Sequence, residues 1–192
     1  MPARLAFSLA LVLCVGCSGS GDDGVDGGAV DASGPPPDAS AQCVATSDVE
    51  VGVCQLADDS PCTGASDPGQ RFVALAEGGT VPTVVGFQGL GMFALGIRTR
   101  GIEPGDPNVP EGLPAVDFGL FDENGQIVAS YQRDVAFMAV AGDAGLYEML
   151  SVYLVVGSGP ELVGKALKVT GTVVDASGTT KCGTRNFIGA AL

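Results

Sequence analysis

The sequence predicts an all-β protein: an antiparallel, Ig-like β-sandwich of about seven to nine strands, preceded by a signal peptide and a disordered tether. Apolar side chains recur at every second position from residue 70 onward, which is the period of a half-buried strand. Gly-rich turn signals separate these runs, and glycine (30) and proline (12) favour turns over long helices. Ig-like describes the architecture only, because the chain has no Trp to pack on an inter-sheet disulfide.

The most regular strand pattern lies at residues 93–97. Three large apolar side chains alternate there with Ala94 and Gly96, so we expect one apolar face and one open face. Residues 116–120 repeat the pattern, and Asn124-Gly125 after them is a strong hairpin signal because both positions tolerate a positive φ. Further strands are predicted at 126–131, 134–140, 167–173 and 179–185, with turns at 122–125, 142–145 and 175–178.

Residues 146–156 fit two different periods. Five large side chains fall at helical spacing, which is typical of an amphipathic helix. Three valines and the flanking Gly145 and Gly157 favour a strand instead, and in strand phase both faces are apolar, as in a central sandwich strand. We therefore predict a strand.

The first sixteen residues read as a secretory signal peptide. Arg4 supplies the positive start, and 5–15 is an almost unbroken apolar run. As a helix this run would span roughly 16 Å, about half of a hydrocarbon core of ~30 Å, so it is too short to remain across a bilayer. The predicted boundaries are 1–16 for the signal peptide, 17–41 for the lipidated Cys and linker, and 42–192 for the sandwich.

Cys14-Val15-Gly16-Cys17 ends the apolar run, and this tetrapeptide resembles the lipobox of bacterial lipoproteins. In that family a small residue, here Gly16, precedes the Cys whose thiol receives a diacylglycerol; the new amino terminus is then acylated, as with palmitate. The resemblance implies lipidation of Cys17, although Cys14 stands where Leu is usual. Two or three acyl chains make a lasting membrane anchor. Ser18 is not Asp, so the family's sorting rule implies an exported protein of the cell envelope, anchored in the outer membrane.

Residues 18–41 are predicted to form a disordered tether. They contain five acids, no base and few large apolar side chains, so no core can form there, and Pro35-Pro36-Pro37 stiffens one stretch. The acidic 22–27 segment loosely resembles a calcium loop, but it lacks the bidentate Glu and the remaining ligands of such a site.

Four cysteines remain in the mature domain, and an even number in an exported chain predicts disulfides. Zinc would need closely spaced pairs, and the sequence has no CxxC motif. Four cysteines permit three connectivities; the preferred pairing is Cys54–Cys62 and Cys43–Cys182. The second bridge closes a loop of more than a hundred residues, worth about 4–5 kcal/mol if loop entropy dominates.

Composition excludes several functions. The net charge is −13, from 22 acids and 9 bases, so no nucleic-acid partner is expected because phosphate binding needs clustered bases. The chain has no His, which removes the commonest general base, the commonest zinc ligand and every Ser-His-Asp or Cys-His arrangement. We therefore assign no catalytic residue, no metal ligand and no cofactor, and we predict a non-enzymatic binding or structural module.

Two alternatives stay open at the level of sequence. A hydrolase without His could use a bound metal or paired carboxylates, drawn from Glu103, Asp106, Glu111, Asp117 and Glu123. Calcium could bind between two loops that carry oxygen ligands, namely Glu103, Asp106 and Asn108 in one and Asp122, Glu123 and Asn124 in the other. The Gly-rich 86–91 segment lacks the Lys-Ser/Thr of a phosphate loop and is interpreted as a tight strand connection.

Several turn and packing motifs accompany the lipobox and the acidic tether: Gly86-Phe87-Gln88-Gly89, Gly145-Leu146-Tyr147-Glu148 and Val174-Asp175-Ala176-Ser177-Gly178. Together they resemble the small lipoproteins of myxobacteria. The resemblance implies the envelope location and the sandwich, and it carries no catalytic residue. The expected partners are the membrane, through the N-terminal lipid, and a protein or glycan of the envelope.

Overall fold

The computed structural model describes residues 44, 46–64, 68–86, 88–157 and 160–191. The predicted signal peptide, Cys17, the tether and Cys43 all lie outside these residues. Eleven strands occur within the described part of the chain: β1 Val49–Gln55, β2 Arg71–Ala74, β3 Gly79–Pro82, β4 Val84–Val85, β5 Gly91–Arg100, β6 Ala115–Phe121, β7 Ile127–Asp134, β8 Met138–Ala139, β9 Leu146–Val155, β10 Ala166–Val174 and β11 Thr180–Ala190. Short 3₁₀ turns occur at Pro110–Gly112 and Pro160–Leu162.

The strands form two sheets. Sheet A has the order β2-β1-β5-β9-β8, with β4 also paired to β5; sheet B has the order β3-β11-β10-β6-β7. All pairs are antiparallel except β3 with β11. The predicted all-β sandwich is confirmed. Seven strands have seven or more residues, and β2, β3, β4 and β8 are short additions that the sequence pattern does not reveal.

The main core lies between the two sheets. Phe93 of β5 meets Phe187 of β11 edge to face, with ring centroids 5.2 Å apart. The predicted inward positions of β5, β6 and β10 are buried, as their alternation requires: Phe93, Leu95, Ile97, Val116, Phe118, Leu120, Leu167, Val169 and Val173. Burial of each such side chain contributes roughly 1.5–3 kcal/mol, so this layer holds the sheets together.

The outward face of β5 differs from the expectation of an open face. Ala94 is 3% exposed and Met92 is 8% exposed, so both faces of this strand are covered. A second apolar cluster lies on this side of sheet A and includes Cys54, Cys62 and Val84. The face is closed by residues before β5, such as Cys54, and by Leu150 and Tyr153 of β9, which no local alternation could show.

The predicted strand at 134–140 is mostly wrong. β7 continues to Asp134, and only Met138 and Ala139 form a strand afterwards, in the other sheet. Between them the chain crosses from sheet B to sheet A, with Phe137 buried and its N–H donating to the carbonyl of Pro104 over 2.8 Å. The crossing interrupts the strand because pairing with β6 and with β9 needs two different directions of the chain.

The strand prediction for 146–156 is confirmed by β9, and the predicted hairpin joins β6 to β7. At its tip the N–H of Asp122 donates to the carbonyl of Gln126 over 2.9 Å, and Gly125 has a φ of 76°. No helix of the described segments is long and apolar enough to cross a membrane.

Candidate functional site

The Cys54–Cys62 disulfide organises the outer face of sheet A. The predicted bridge is present, with Cα atoms 5.5 Å apart, and it folds the segment after β1 back on itself. The N–H of Cys62 donates to the carbonyl of Cys54 over 3.1 Å, and the N–H of Leu56 donates to Ser60 over 2.8 Å. Cys182 is also disulfide-bonded, whereas its predicted partner, Cys43, lies outside the described residues.

The charged side chains at the tip of this disulfide loop are engaged by neighbouring residues. Ser60 donates from its hydroxyl and its N–H to the Asp58 carboxylate over 2.6 and 3.1 Å, and these hydrogen bonds lower the pKa of Asp58. Asp59 forms an ion pair with Arg71 of β2, and both side chains are largely exposed. Exposed pairs of this kind add little to stability, so the disulfide and the main chain hold the loop.

An apolar groove lies beside the disulfide loop. It has a volume of about 340 Å³ and is lined by Thr63, Gly64, Gly86, Gln88, Leu90, Met92, Tyr153 and Val155. Leu90 is 40% exposed and Val155 is 50% exposed, although both are large and apolar. Ligand pockets commonly begin near 300 Å³, and clustered exposed apolar side chains mark binding surfaces more often than single ones do.

The strand pairing explains why the groove is apolar. Met92 of β5 lies directly opposite Val155 of β9, so their side chains share the outer face. The β4–β5 turn brings Leu90 to the rim: the N–H of Gly86 donates to the carbonyl of Leu90 over 2.9 Å, and Gly89 has a φ of 75°. The Gly-rich segment is therefore the tight strand connection that the sequence predicts, apart from Phe87, which lies outside the described residues.

A second cavity, lined by both charged and apolar side chains, lies at the β6–β7 hairpin. Its volume is about 300 Å³, and its lining includes Asp122, Glu123, Glu161 and Lys165. Three carboxylates and one ammonium group lie around it, so this cavity carries a net negative charge. The apolar groove is the better candidate for a binding site because its lining contains no charged side chain and exposes more apolar surface.

The predicted calcium ligands are used by their own loops. Asp106 accepts hydrogen bonds from the main-chain N–H and the side-chain amide of Asn108, both over 2.9 Å, and these bonds lower the pKa of Asp106. Asp122 accepts in the same way from the N–H groups of Gln126 and Asn124, and its pKa is likewise lowered. Among the residues that the structure describes, no three His, Cys, Asp or Glu side chains are arranged to hold a metal ion.

The five carboxylates of the hydrolase alternative lie on three different elements. Glu103, Asp106 and Glu111 occur in the loop before β6, Asp117 lies within β6, and Glu123 lies at the hairpin tip. Asp117 is half-buried, and this burial raises the pKa of its carboxyl. The absence of enzymatic activity stays a prediction.

Asp175 is a buried carboxylate with a structural role. It is 5% exposed and accepts hydrogen bonds from the N–H groups of Glu103, Ser177 and Thr179 over 2.9–3.0 Å. Burial opposes its ionisation, but the hydrogen bond from the Ser177 hydroxyl over 2.6 Å and these main-chain hydrogen bonds outweigh burial, and the pKa is lowered. The carboxylate thus fixes the predicted 175–178 turn and ties it to the loop after β5.

The sequence contained a signal for the groove that the predictions did not use. Residues 146–156 are apolar on both faces in strand phase, which predicts a cover on each face. Tyr153 and Val155 lie on the outer face together with Met92. What the pattern could not show is which segment forms the cover, and that this cover stops short of Val155.

No protein-family model matches the sequence, and no curated protein matches it. Among solved structures, the chain is similar to the crystal structure of CopC from Methylosinus trichosporium OB3b, with 14% identity over 60% of this chain and 86% of that chain and a TM-score of 0.29. A similarity this low supports no conclusion about fold or function, so the site is interpreted from its own residues.

Proposed function

We propose that this chain is a lipid-anchored protein of the cell envelope, held in the outer membrane, whose sandwich is a non-catalytic binding module. The apolar groove would receive apolar side chains of a protein partner. The observation that carries the proposal is the exposed pair Leu90 and Val155 at the rim of a formed cavity on a rigid, disulfide-closed face. Water contact with these side chains is lost when a partner covers them, which favours association.

Charge and lining chemistry favour a protein over a glycan as the partner. Sugar binding normally uses aromatic platforms, and Tyr153 is the one aromatic side chain among the described residues that line the groove. The chain carries a net charge of −13, so a partner with a basic rim around its apolar contact would be attracted and oriented. The hydrolase alternative has no comparable support, since its carboxylates lie on separate elements.

A photo-crosslinking amino acid at position 90 of the full-length chain tests the binding site in living cells. We expect a protein adduct of one defined mass, and we expect Val155→Asp in the same chain to abolish it because a carboxylate would enter the apolar contact. Position 109 is the matched control, since Val109 is 48% exposed and lies in the loop between β5 and β6, which does not line the groove. Equal adducts at both positions, or no protein adduct at position 90, would overturn the proposal.

A fatty-acid label tests the anchor separately. Cells fed radiolabelled palmitate should label the full-length chain, and Cys17→Ala should remove the label because it removes the acceptor thiol. Cys14→Ala should keep the label, since position 14 belongs to the discarded signal peptide. Label that persists in the Cys17→Ala chain contradicts the anchor and leaves the groove experiment unaffected.

A further inference from the structure

Strand β7 is the long edge of the sandwich. Within the described residues, the other strands that pair on one side only are short: β2 and β3 contain four residues each, and β4 and β8 contain two each. β7 contains eight and pairs with β6 alone. An edge of this length presents a row of main-chain donors and acceptors to any other strand. Natural edges are often protected by Pro, by charged side chains or by bulges. β7 contains no Pro or Lys, its irregularity lies before Ala129, and its two charges, Arg133 and Asp134, lie at its end.

The pairing with β6 shows which main-chain groups of β7 point outward. The N–H of Val135 donates to the carbonyl of Pro114 over 2.9 Å at the end of the ladder. Hydrogen-bonded and non-hydrogen-bonded pairs alternate along an antiparallel ladder. Residues 129, 131 and 133 therefore bond to β6, and the N–H and C=O groups of Ser130, Gln132 and Asp134 point away from the sheet.

These outward groups are accessible. Ser130, Gln132 and Asp134 are exposed, as is Arg133. The chain turns toward sheet A only after Asp134, so the crossing segment begins beyond the three outward positions. A second strand could therefore approach along this part of β7.

The sequence of β7 complements itself in one antiparallel register. With Gln132 opposite Gln132 of a second copy, Tyr131 faces Arg133 and Ser130 faces Asp134, each pair occurring twice. The guanidinium of Arg133 can lie against the Tyr131 ring, and the Ser130 hydroxyl can donate to the Asp134 carboxylate. All outward main-chain groups then face outward groups of the second copy.

Neighbouring registers that keep this parity are worse. Centring the pair on residue 133 places two Arg133 guanidinium groups opposite each other, which is repulsive. Centring it on residue 131 places Arg133 opposite Ala129 and Asp134 opposite Val128, so both charges lose water without gaining a partner. Charge complementarity thus selects the register centred on Gln132.

We propose that two copies of this chain associate through β7, antiparallel and with Gln132 on the two-fold axis. The contact joins two five-stranded sheets into one continuous sheet through about six main-chain hydrogen bonds. A contact of one strand is small, so the association in solution is weak. It does not depend on the groove, and confinement of both copies to one membrane would strengthen it by raising the effective concentration.

A cysteine trap tests the proposed register in residues 18–192, which include every described strand. The segment is expressed behind a cleavable secretion signal, so that it is exported and forms its native disulfides. In a glutathione redox buffer, Gln132→Cys should form a covalent dimer, because positions 132 of the two copies are directly opposite. Ser130→Cys is the matched control on the same edge; the two positions 130 would lie about 14 Å apart, so it should remain monomeric. Equal trapping of both variants, or trapping of neither, would overturn the proposal.

A charge variant tests the contact without a covalent bond. Gln132→Lys places two ammonium groups on the two-fold axis and should weaken the dimer about fivefold in sedimentation equilibrium. Thr180→Lys makes the same change of charge at an exposed position of the interior strand β11 and should leave the dimer constant unchanged. If both variants weaken association equally, or if the unmodified chain stays monomeric at millimolar concentration, β7 is not the contact.

Discussion

The two sheets differ in what lies on their outer faces. On sheet A the disulfide loop forms a third layer, and Met92 and Ala94 are buried there in one cluster with Cys54, Cys62 and Val84. On sheet B the outer face carries small polar side chains such as Thr172, Thr184, Ser130 and Gln132, which are half-buried or exposed. The comparison indicates that the outer face of sheet A behaves as interior, whereas that of sheet B behaves as surface.

One arrangement occurs on both faces and makes them directly comparable. On sheet A the Phe72 ring covers Gly52, and the Arg98 guanidinium lies 4.5 Å from the ring centroid. On sheet B the Phe121 ring covers Gly119, with the Lys168 ammonium 4.9 Å from its centroid. A glycine, an aromatic ring and a cation are therefore stacked twice; both rings are buried, but Lys168 is exposed whereas Arg98 is half-buried.

The glycines give the largest expected difference. A Cβ at Gly52 would overlap both the Phe72 ring and the carbonyl oxygen of Val73, so neither a rotamer change nor a small shift can make room. A Cβ at Gly119 would meet only the Phe121 ring, at 2.8 Å. We expect Gly52→Ala to lower the free energy of unfolding by about 3 kcal/mol and Gly119→Ala by about 1 kcal/mol, measured by urea denaturation. Equal losses would contradict the comparison.

Removing the Cys54–Cys62 disulfide should give the next largest loss of stability. Replacing Cys54 and Cys62 together by Ala should cost about 2.5 kcal/mol, since the closed loop is short and loop entropy scales with its length. The double variant should also lose crosslinking from position 90, because the loop that borders the groove is no longer fixed. Substitution rather than chemical reduction is required, since reduction would also open the disulfide of Cys182. A variant with unchanged stability would show that packing alone holds the third layer.

The inner layer of this fold could be predicted from sequence, and the third layer could not. Large apolar residues at alternate positions of 116–120 specify a buried face by themselves, because the pattern and the contact are local. Ala94 and Gly96, by contrast, do not specify whether their face of the strand is buried or exposed. A small outward side chain suits open solvent, and it equally suits a ring lying across it, as Phe72 does over Gly96. That ring comes from β2, more than twenty residues earlier in the chain.

The candidate site was hidden for the same reason. Its lining comes from three separate segments of the chain, represented by Thr63, Leu90 and Val155, which strand pairing brings together. The Cys54–Cys62 bridge was predicted correctly from the number and spacing of cysteines. The burial of Met92 beside this bridge also depends on the pairing of β4 with β5, and β4 is only two residues long. A strand this short leaves no periodic signal in the sequence.

Removing the cations above the two rings should lower the stability by different but smaller amounts on the two faces. Arg98 donates to Glu148 over 2.8 Å, and both side chains are mostly buried, 26% and 16% exposed. We expect Arg98→Gln to cost about 1.5 kcal/mol, because Glu148 is left without its partner and the ring loses its cation. Lys168→Gln should cost about 0.5 kcal/mol, since Lys168 is exposed. Thermal melts of both variants at equal salt measure the difference, and a larger loss for Lys168→Gln would reverse the ranking of the faces.

The smallest effect concerns the pH dependence on sheet B. Burial raises the pKa of Asp117 above its ordinary 3.8, so the ionised carboxylate disfavours the folded state at neutral pH. Asp117→Asn should therefore be more stable than the unmodified chain at pH 7, and the difference should vanish below the ordinary pKa, where both folded and unfolded carboxyls are protonated. Urea denaturation between pH 3 and 7 measures it.

Asp122 at the end of the same strand supplies a control of opposite sign. The N–H of Gln126 donates to its carboxylate and lowers the pKa most. Burial raises the pKa, but the hydrogen bonds from Asn124 lower it further, so the net pKa is lowered. Its stabilisation is present above the ordinary value of 3.8 and is lost as the pH falls through the lower folded-state pKa. Asp122→Asn keeps an acceptor oxygen and should be less stable at pH 7 but equal in strong acid. If both variants changed stability in the same direction at pH 7, the half-burial of Asp117 would not be what distinguishes it from an ordinary surface acid.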